Sequence, residues 1–117
     1  MLEKELKTPE ERALGADIFL RRLDVKMALQ SDAVTSYALH KNNLSDDSVL
    51  GSDSLYNTYT HLGFPPTPIC NPGLDSIEAA LNPEPNDYWY FLTDSAGQAH
   101  FSKTYAGHLE NKAEFLQ

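Results

Sequence analysis

The chain has 117 residues, with nine Lys and Arg against seventeen Asp and Glu, a formal net charge of -8 and a pI near 4.7. That length suits one domain or a piece of one, and the charge has the wrong sign for phosphate backbones or anionic lipid headgroups, which argues against a nucleic-acid partner. Cys70 is the single cysteine, so neither an internal disulfide nor a thiolate metal cage can form, and the residues present read as neither a membrane span nor an export signal.

Leu2 to Lys7 are helix formers with no cap ahead of them, so the chain is expected to open on a frayed helix, as if partway along it. Thr8, Pro9 and Glu11 mark a second start, as N-cap, first helical position and capping-box partner. Ala13, Ala16, Leu20 and Leu23, with Phe19 beside them, recur at helical spacing and are expected on the core face, with Asp17, Arg21 and Asp24 opposite. Gly15 within this helix costs about 1 kcal/mol relative to alanine, which points to the close approach of another piece of backbone; a tolerated defect is the plainer alternative.

Met27 to Gln30 reads as a short extended segment, followed by Ser31 or Asp32 as the cap of a short helix running through Val34 to Leu39. Gln30 and Asp32 thus stand at a junction of the kind that presents polar side chains to a ligand, although capping alone accounts for Asp32. Lys41 to Ser54 has the composition of an exposed loop. Leu55-Tyr56-Asn57-Thr58-Tyr59 leads into Gly63-Phe64-Pro65-Pro66-Thr67-Pro68-Ile69-Cys70-Asn71-Pro72-Gly73, which holds four of the seven prolines. Each proline fixes its own φ and pushes the residue before it into an extended conformation, so this run is a rigid wall, or more plainly a stiff connection. Within it Cys70 reads as a small buried residue.

Asn71 and Pro72 are placed to open a helix that buries Leu74, Ile77 and Leu81 and ends at Asn82-Pro83. Tyr88 to Phe91 reads as a strand, paired with Gln98 to Ser102 across a turn at Asp94 to Gly97. Thr104 caps a final helix with Tyr105, Leu109, Lys112 and Leu116 along one face. The expected fold is therefore α+β, several short helices packed on a small sheet that includes a C-terminal hairpin.

His40, His61, His100 and His108 lack the spacing and cysteine partners of a zinc site. No G-x-S-x-G marks a serine nucleophile, and a pyridoxal phosphate enzyme would need a phosphate cradle and a larger scaffold. What remains is carboxylate chemistry: Glu3 and Glu5 on the early helix, the polar set Gln30, Asp32, Tyr56, Asn57 and Tyr59, and the wall from Phe64 to Asn71. That inventory suits a carbohydrate, because sugars bind through hydroxyl and amide hydrogen bonds beside apolar faces, and a carboxylic acid can protonate a glycosidic oxygen. Acidic residues on an exposed helix are the ordinary alternative.

The order of these blocks resembles the C-terminal part of the catalytic domain of the endolytic murein transglycosylase (YceG-like) family. Leu2-Glu3-Lys4-Glu5 resembles its catalytic helix, and Arg22-Leu23 with Met27-Ala28-Leu29-Gln30-Ser31-Asp32 its next block. Tyr56-Asn57-Thr58-Tyr59, the proline run, Ser76 to Pro83, and Asp87-Tyr88 to Phe91 follow in register, and Phe101-Ser102-Lys103-Thr104 with His108 agrees. Ala33 departs from the pattern, standing where the family usually has proline. The resemblance implies cleavage of peptidoglycan glycan strands between N-acetylmuramic acid and N-acetylglucosamine, leaving 1,6-anhydro-muramoyl ends, without cofactor or metal.

Glu5 matches the family's general acid, and Glu3 a more variable position. Gln30, Asp32, Tyr56, Asn57, Tyr59, Pro65, Pro66, Thr67 and Asn71 would bind the sugar rings. The resemblance further implies longer relatives, carrying a membrane anchor and a LysM-like domain, at the extracytoplasmic face of the bacterial cytoplasmic membrane and working with cell-wall synthesis proteins. A truncated, non-catalytic peptidoglycan-binding module is the alternative.

Overall fold

A computed structural model describes residues 1–34, 37 and 55–116. The loop expected from Lys41 to Ser54, His40 and most of the helix expected to reach Leu39 lie outside the described residues; residues 32–34 and 37 are helical. The chain divides into two compact units, Met1 with Arg21–Asn71, and Leu2–Leu20 with Pro72–Gln117. The fold class is α+β, as the sequence implies.

The second unit contains α1 (Leu2–Glu5), α2 (Pro9–Asp24, whose last residues belong to the first unit), α3 (Leu74–Leu81), β1 (Tyr90–Thr93), β2 (Ala99–Ser102) and α4 (Tyr105–Phe115). Thr8 caps α2 as expected: its hydroxyl accepts the Glu11 amide at 3.1 Å and donates to the Glu11 carboxylate at 2.9 Å. The other carboxylate oxygen of Glu11 accepts the Ala99 amide at 3.0 Å, so the same cap holds the start of β2. β1 and β2 pair antiparallel, Tyr90 opposite Ser102 and Thr93 opposite Ala99. Asp94 closes the turn by accepting the amides of Ala96 and Gln98, and Gly97 supplies the left-handed residue (φ 87°). Phe91 meets Phe19 of α2 edge to face at 5.7 Å. Thr104 caps α4 by accepting the Gly107 amide at 3.0 Å.

The expected helix faces are met only in part: Ala16 and Phe19 of α2 are buried as expected and Tyr105 of α4 meets Tyr90 at 5.6 Å, while other residues differ. On α2 the buried side is Gly15, Ala16, Ile18, Phe19 and Arg22, while Leu20 is 45% exposed. The stripe includes an arginine whose guanidinium donates to the Leu29 carbonyl at 2.5 Å, so hydropathy misplaces its centre. On α3, Leu74, Ile77 and Leu81 are exposed, at 69%, 44% and 75%, and Ser76 and Ala79 turn inward. The small residues let this helix approach closely, and Ser76 satisfies a carboxylate there. On α4, Tyr105, Leu109 and Leu116 are exposed, and docking relies on rings: His108 stacks on Tyr90 at 5.2 Å and Phe115 on His100 at 3.6 Å. α3 also starts later than expected, with Gly73 rather than Asn71 at the N-cap, and ends as expected at Asn82.

In the first unit, Met27 to Gln30 is not a strand. Lys26 and Gln30 adopt left-handed φ values of 58° and 54°, which bend the chain out of an extended path. The segment is held by Met27 N–H to the Arg22 carbonyl (2.7 Å), Arg22 to the Leu29 carbonyl, and Gln30 N–H to the Thr58 carbonyl (3.2 Å).

Candidate functional site

A helix of four residues cannot sustain itself in water, because nucleation costs more than its few hydrogen bonds return. α1, which ends on Glu5, is instead held by the second unit around it. Leu2 and Leu6 fill the space over Gly15, where a Cβ would collide with Leu6 and come within 3.3 Å of Leu2. Side chains, rather than the backbone expected from the sequence, therefore account for this glycine. At its C-terminal end the Glu5 carbonyl accepts the Thr93 hydroxyl at 3.2 Å, and the Leu6 carbonyl accepts Arg12 Nε at 2.9 Å. These are carbonyls that a helix end leaves without partners, and the expected fraying is not what the structure shows.

Glu3 holds the other face. Its carboxylate accepts the Ser76 hydroxyl and, at 3.1 Å, the Gly73 amide, with Arg12 3.9 Å from its second oxygen. Gly73 is the N-cap of α3 and has no side chain to cap with; Glu3, 70 residues away in sequence, accepts its backbone N–H, the donor that a capping box satisfies from within the helix. The Ser76 hydroxyl first, then the Gly73 N–H, with smaller contributions from the Arg12 and Lys4 charges, keep the Glu3 carboxyl below its ordinary pKa against the opposing effect of desolvation. Glu5 is half-buried at the end of the helix so fixed.

The polar set expected to bind sugar lies in the first unit and is brought together there. The Tyr59 hydroxyl donates to Asp32 Oδ1 at 2.7 Å, and the Tyr56 and Thr67 hydroxyls are 2.9 Å apart. Asn57 is only 1% exposed; its side-chain oxygen accepts the Tyr59 amide at 3.1 Å and its carbonyl accepts the amides of Thr60 and His61. Asn57 thus shapes the turn that presents its tyrosine neighbours rather than offering a surface itself. Thr58, also buried, takes the Ser31 amide at 2.8 Å and returns its proton to the Ser31 carbonyl, tying the turn to Gln30 and Asp32.

Along the wall, Pro65 is half-buried, Pro66, Thr67 and Asn71 are exposed, and Ile69 is the buried anchor; Cys70 is half-buried rather than buried. Ser31, Thr58, Arg12, Ser76 and Thr93 carry this scaffolding, yet no local pattern marks them, since their partners lie between 6 and 88 residues away. Among the described residues no cluster of three His, Cys, Asp or Glu could hold a metal ion, and no helix is long and apolar enough to cross a membrane.

Comparison with known proteins agrees along nearly the whole chain. The chain is 40% identical over 120 residues to an endolytic murein transglycosylase of Bacillus subtilis strain 168, covering 99% of this chain and 32% of that protein. It is 36% identical over 123 residues to an endolytic murein transglycosylase of Streptococcus pneumoniae serotype 2, covering 99% of this chain and 22% of that one. A YceG-like protein of Listeria monocytogenes, known from a 2.6 Å crystal structure, superposes with a TM-score of 0.81 at 42% identity, over 93% of this chain and 36% of the other. The chain therefore spans about a third or less of the length of these relatives. The profile of the YceG-like family matches residues 1–114, and with the helix, turn and proline blocks standing in that register the chain belongs to the YceG-like family.

Proposed function

We propose that this chain carries out endolytic cleavage of peptidoglycan glycan strands between N-acetylmuramic acid and N-acetylglucosamine, with Glu5 as the single acid and base. The observation that carries the reading is the 40% identity, across 99% of the chain, to a relative named endolytic murein transglycosylase. In this mechanism the protonated Glu5 gives its proton to the glycosidic oxygen as the bond to C1 breaks. The resulting carboxylate then takes the proton of the muramoyl C6 hydroxyl as O6 closes on C1, which leaves a 1,6-anhydro end and restores the acid. No water or second carboxylate enters.

The geometry favours Glu5 over Glu3 for this work. Glu3 is already engaged by the Ser76 hydroxyl and the Gly73 amide, which lower its pKa and so disfavour the protonated form that a general acid must hold. Gln30, Asp32, Tyr56, Tyr59, Pro65, Pro66, Thr67 and Asn71 would bind the sugar rings, with Asn57 acting through the turn it holds. The longer proteins of the family would work at the outer face of the cytoplasmic membrane beside cell-wall synthesis proteins. Mass spectrometry of murein incubated with the chain tests the reading: anhydro-muramoyl products are expected, and are expected to vanish with Glu5→Gln. Products undiminished in Glu5→Gln would sink the acid assignment, and saturable glycan binding with no products would make the chain a binding module.

A further inference from the structure

We propose that Glu3 is a positioning residue: its carboxylate clamps α1, and with it the Glu5 backbone, to the first turn of α3 through the Gly73 amide and the Ser76 hydroxyl. The inference rests on the reading of Glu5 as the acid. α1 is too short to persist alone, so the placement of Glu5 is decided by what grips the four residues. Three grips exist. Leu2 and Leu6 pack over Gly15, Thr93 and Arg12 take the two C-terminal carbonyls, and Glu3 reaches α3.

The first two grips act on one end and one apolar face, and Glu3 adds a polar anchor at a different helix, α3. Glu3 and Glu5 stand two positions apart, which places their side chains on well-separated faces of the turn. Fixing Glu3 at α3 therefore sets the direction in which Glu5 points. Ser76 is 4% exposed, so its hydroxyl has little water to turn to if the carboxylate is removed. α3 gains as well, because its N-cap glycine brings no acceptor and the carboxylate complements the positive end of the helix dipole. A charge at position 3 thus links the helix bearing the acid to α3 on the side where Ser76 and Ala79 are buried.

Amide hydrogen exchange on the full chain, with turnover measured beside it, tests the clamp. In Glu3→Ala and in Ser76→Ala the Leu6 amide, which donates to the Leu2 carbonyl, is expected to exchange about tenfold faster or more, while the β1 and β2 amides stay at their wild-type rates. Glu3→Gln keeps an acceptor and is expected to recover most of the protection. Adding Ser76→Ala to Glu3→Ala is expected to change little, since the hydroxyl has by then lost its carboxylate, whereas adding Glu3→Ala to Ser76→Ala also removes the Gly73 bond and is expected to raise exchange further. In turnover, Glu3→Ala is expected to lower kcat with KM near its wild-type value, because orientation of the acid matters in the transition state.

Unchanged Leu6 exchange in Glu3→Ala, a uniform rise across the hairpin, or full kcat despite lost α1 protection would each overturn the clamp. Exchange needs no catalysis, so an absence of product from the wild-type chain counts against the proposed function while the exchange rates still decide the clamp.

Discussion

Glu3 and Glu5 are the same residue type on one short helix, and Glu3 uses its carboxylate for contacts within the fold. Glu3 lies against a hydroxyl, a backbone N–H and a guanidinium, which lower its pKa, and the Asp94 carboxyl is lowered in the same way by the hydrogen bond from His100 first and by the Gln98 and Ala96 amides after it. Both folded carboxyls sit below their unfolded values. Their contribution to stability is therefore fully present above the ordinary carboxylate range, roughly pH 4, and is lost as pH falls through the lower folded pKa. Urea midpoints measured from pH 6 down to pH 2, a span of roughly four units across the carboxylate range, are expected to fall less steeply in Glu3→Gln and in Asp94→Asn than in wild type; parallel curves would show that neither carboxylate is linked to folding. Nothing local in Leu2-Glu3-Lys4-Glu5 distinguishes the two glutamates, because the partners of Glu3 arrive from α3.

At the scale of the element, the two threonine caps and the hairpin turn are legible, while the start of α3 and much of the helix faces are not. Thr8 and Thr104 act on amides three residues away, so their sequence signal is complete in itself. Thr104→Ala is expected to cost about 1 kcal/mol, the usual worth of such a cap, read from the shift in the urea midpoint. The faces of α2, α3 and α4 differ from expectation where small or polar residues share in the packing, Gly15 and Arg22 beside Ile18 and Phe19, Ser76 and Ala79, and His108 beside Phe115, because a search for recurring leucines passes over them. Gly15 shows the consequence. Gly15→Val would drive two methyl groups into Leu6 and Leu2, and is expected to destabilise the chain by about 2 kcal/mol in urea unfolding, with faster exchange in α1.

At the scale of the whole molecule, each unit is stitched by polar contacts between distant segments. In the first unit, Thr58 to Ser31 and Arg22 to Leu29 join the tyrosine turn and the bend that follows α2. In the second, Asn86 donates its amide N–H to Asp17 and its side-chain N–H to the Leu14 carbonyl while accepting the Tyr88 amide, fixing the entry to β1 on α2. Asn86→Ala is expected to lower stability by about 2 kcal/mol, since it removes two of these bonds; a urea midpoint within error of wild type would refute that role.

The sequence by itself determined the α+β class, the hairpin, the two threonine caps and the family, because those rest on neighbours in the chain or on motifs in register. Only the tertiary structure decided which helix faces are buried, that Met27 to Gln30 bends rather than extends, that Asn57 is interior, and that Glu3 accepts the N-cap amide of α3. Those outcomes depend on which distant donor meets which acceptor, and local propensity carries no information about a partner 70 residues away.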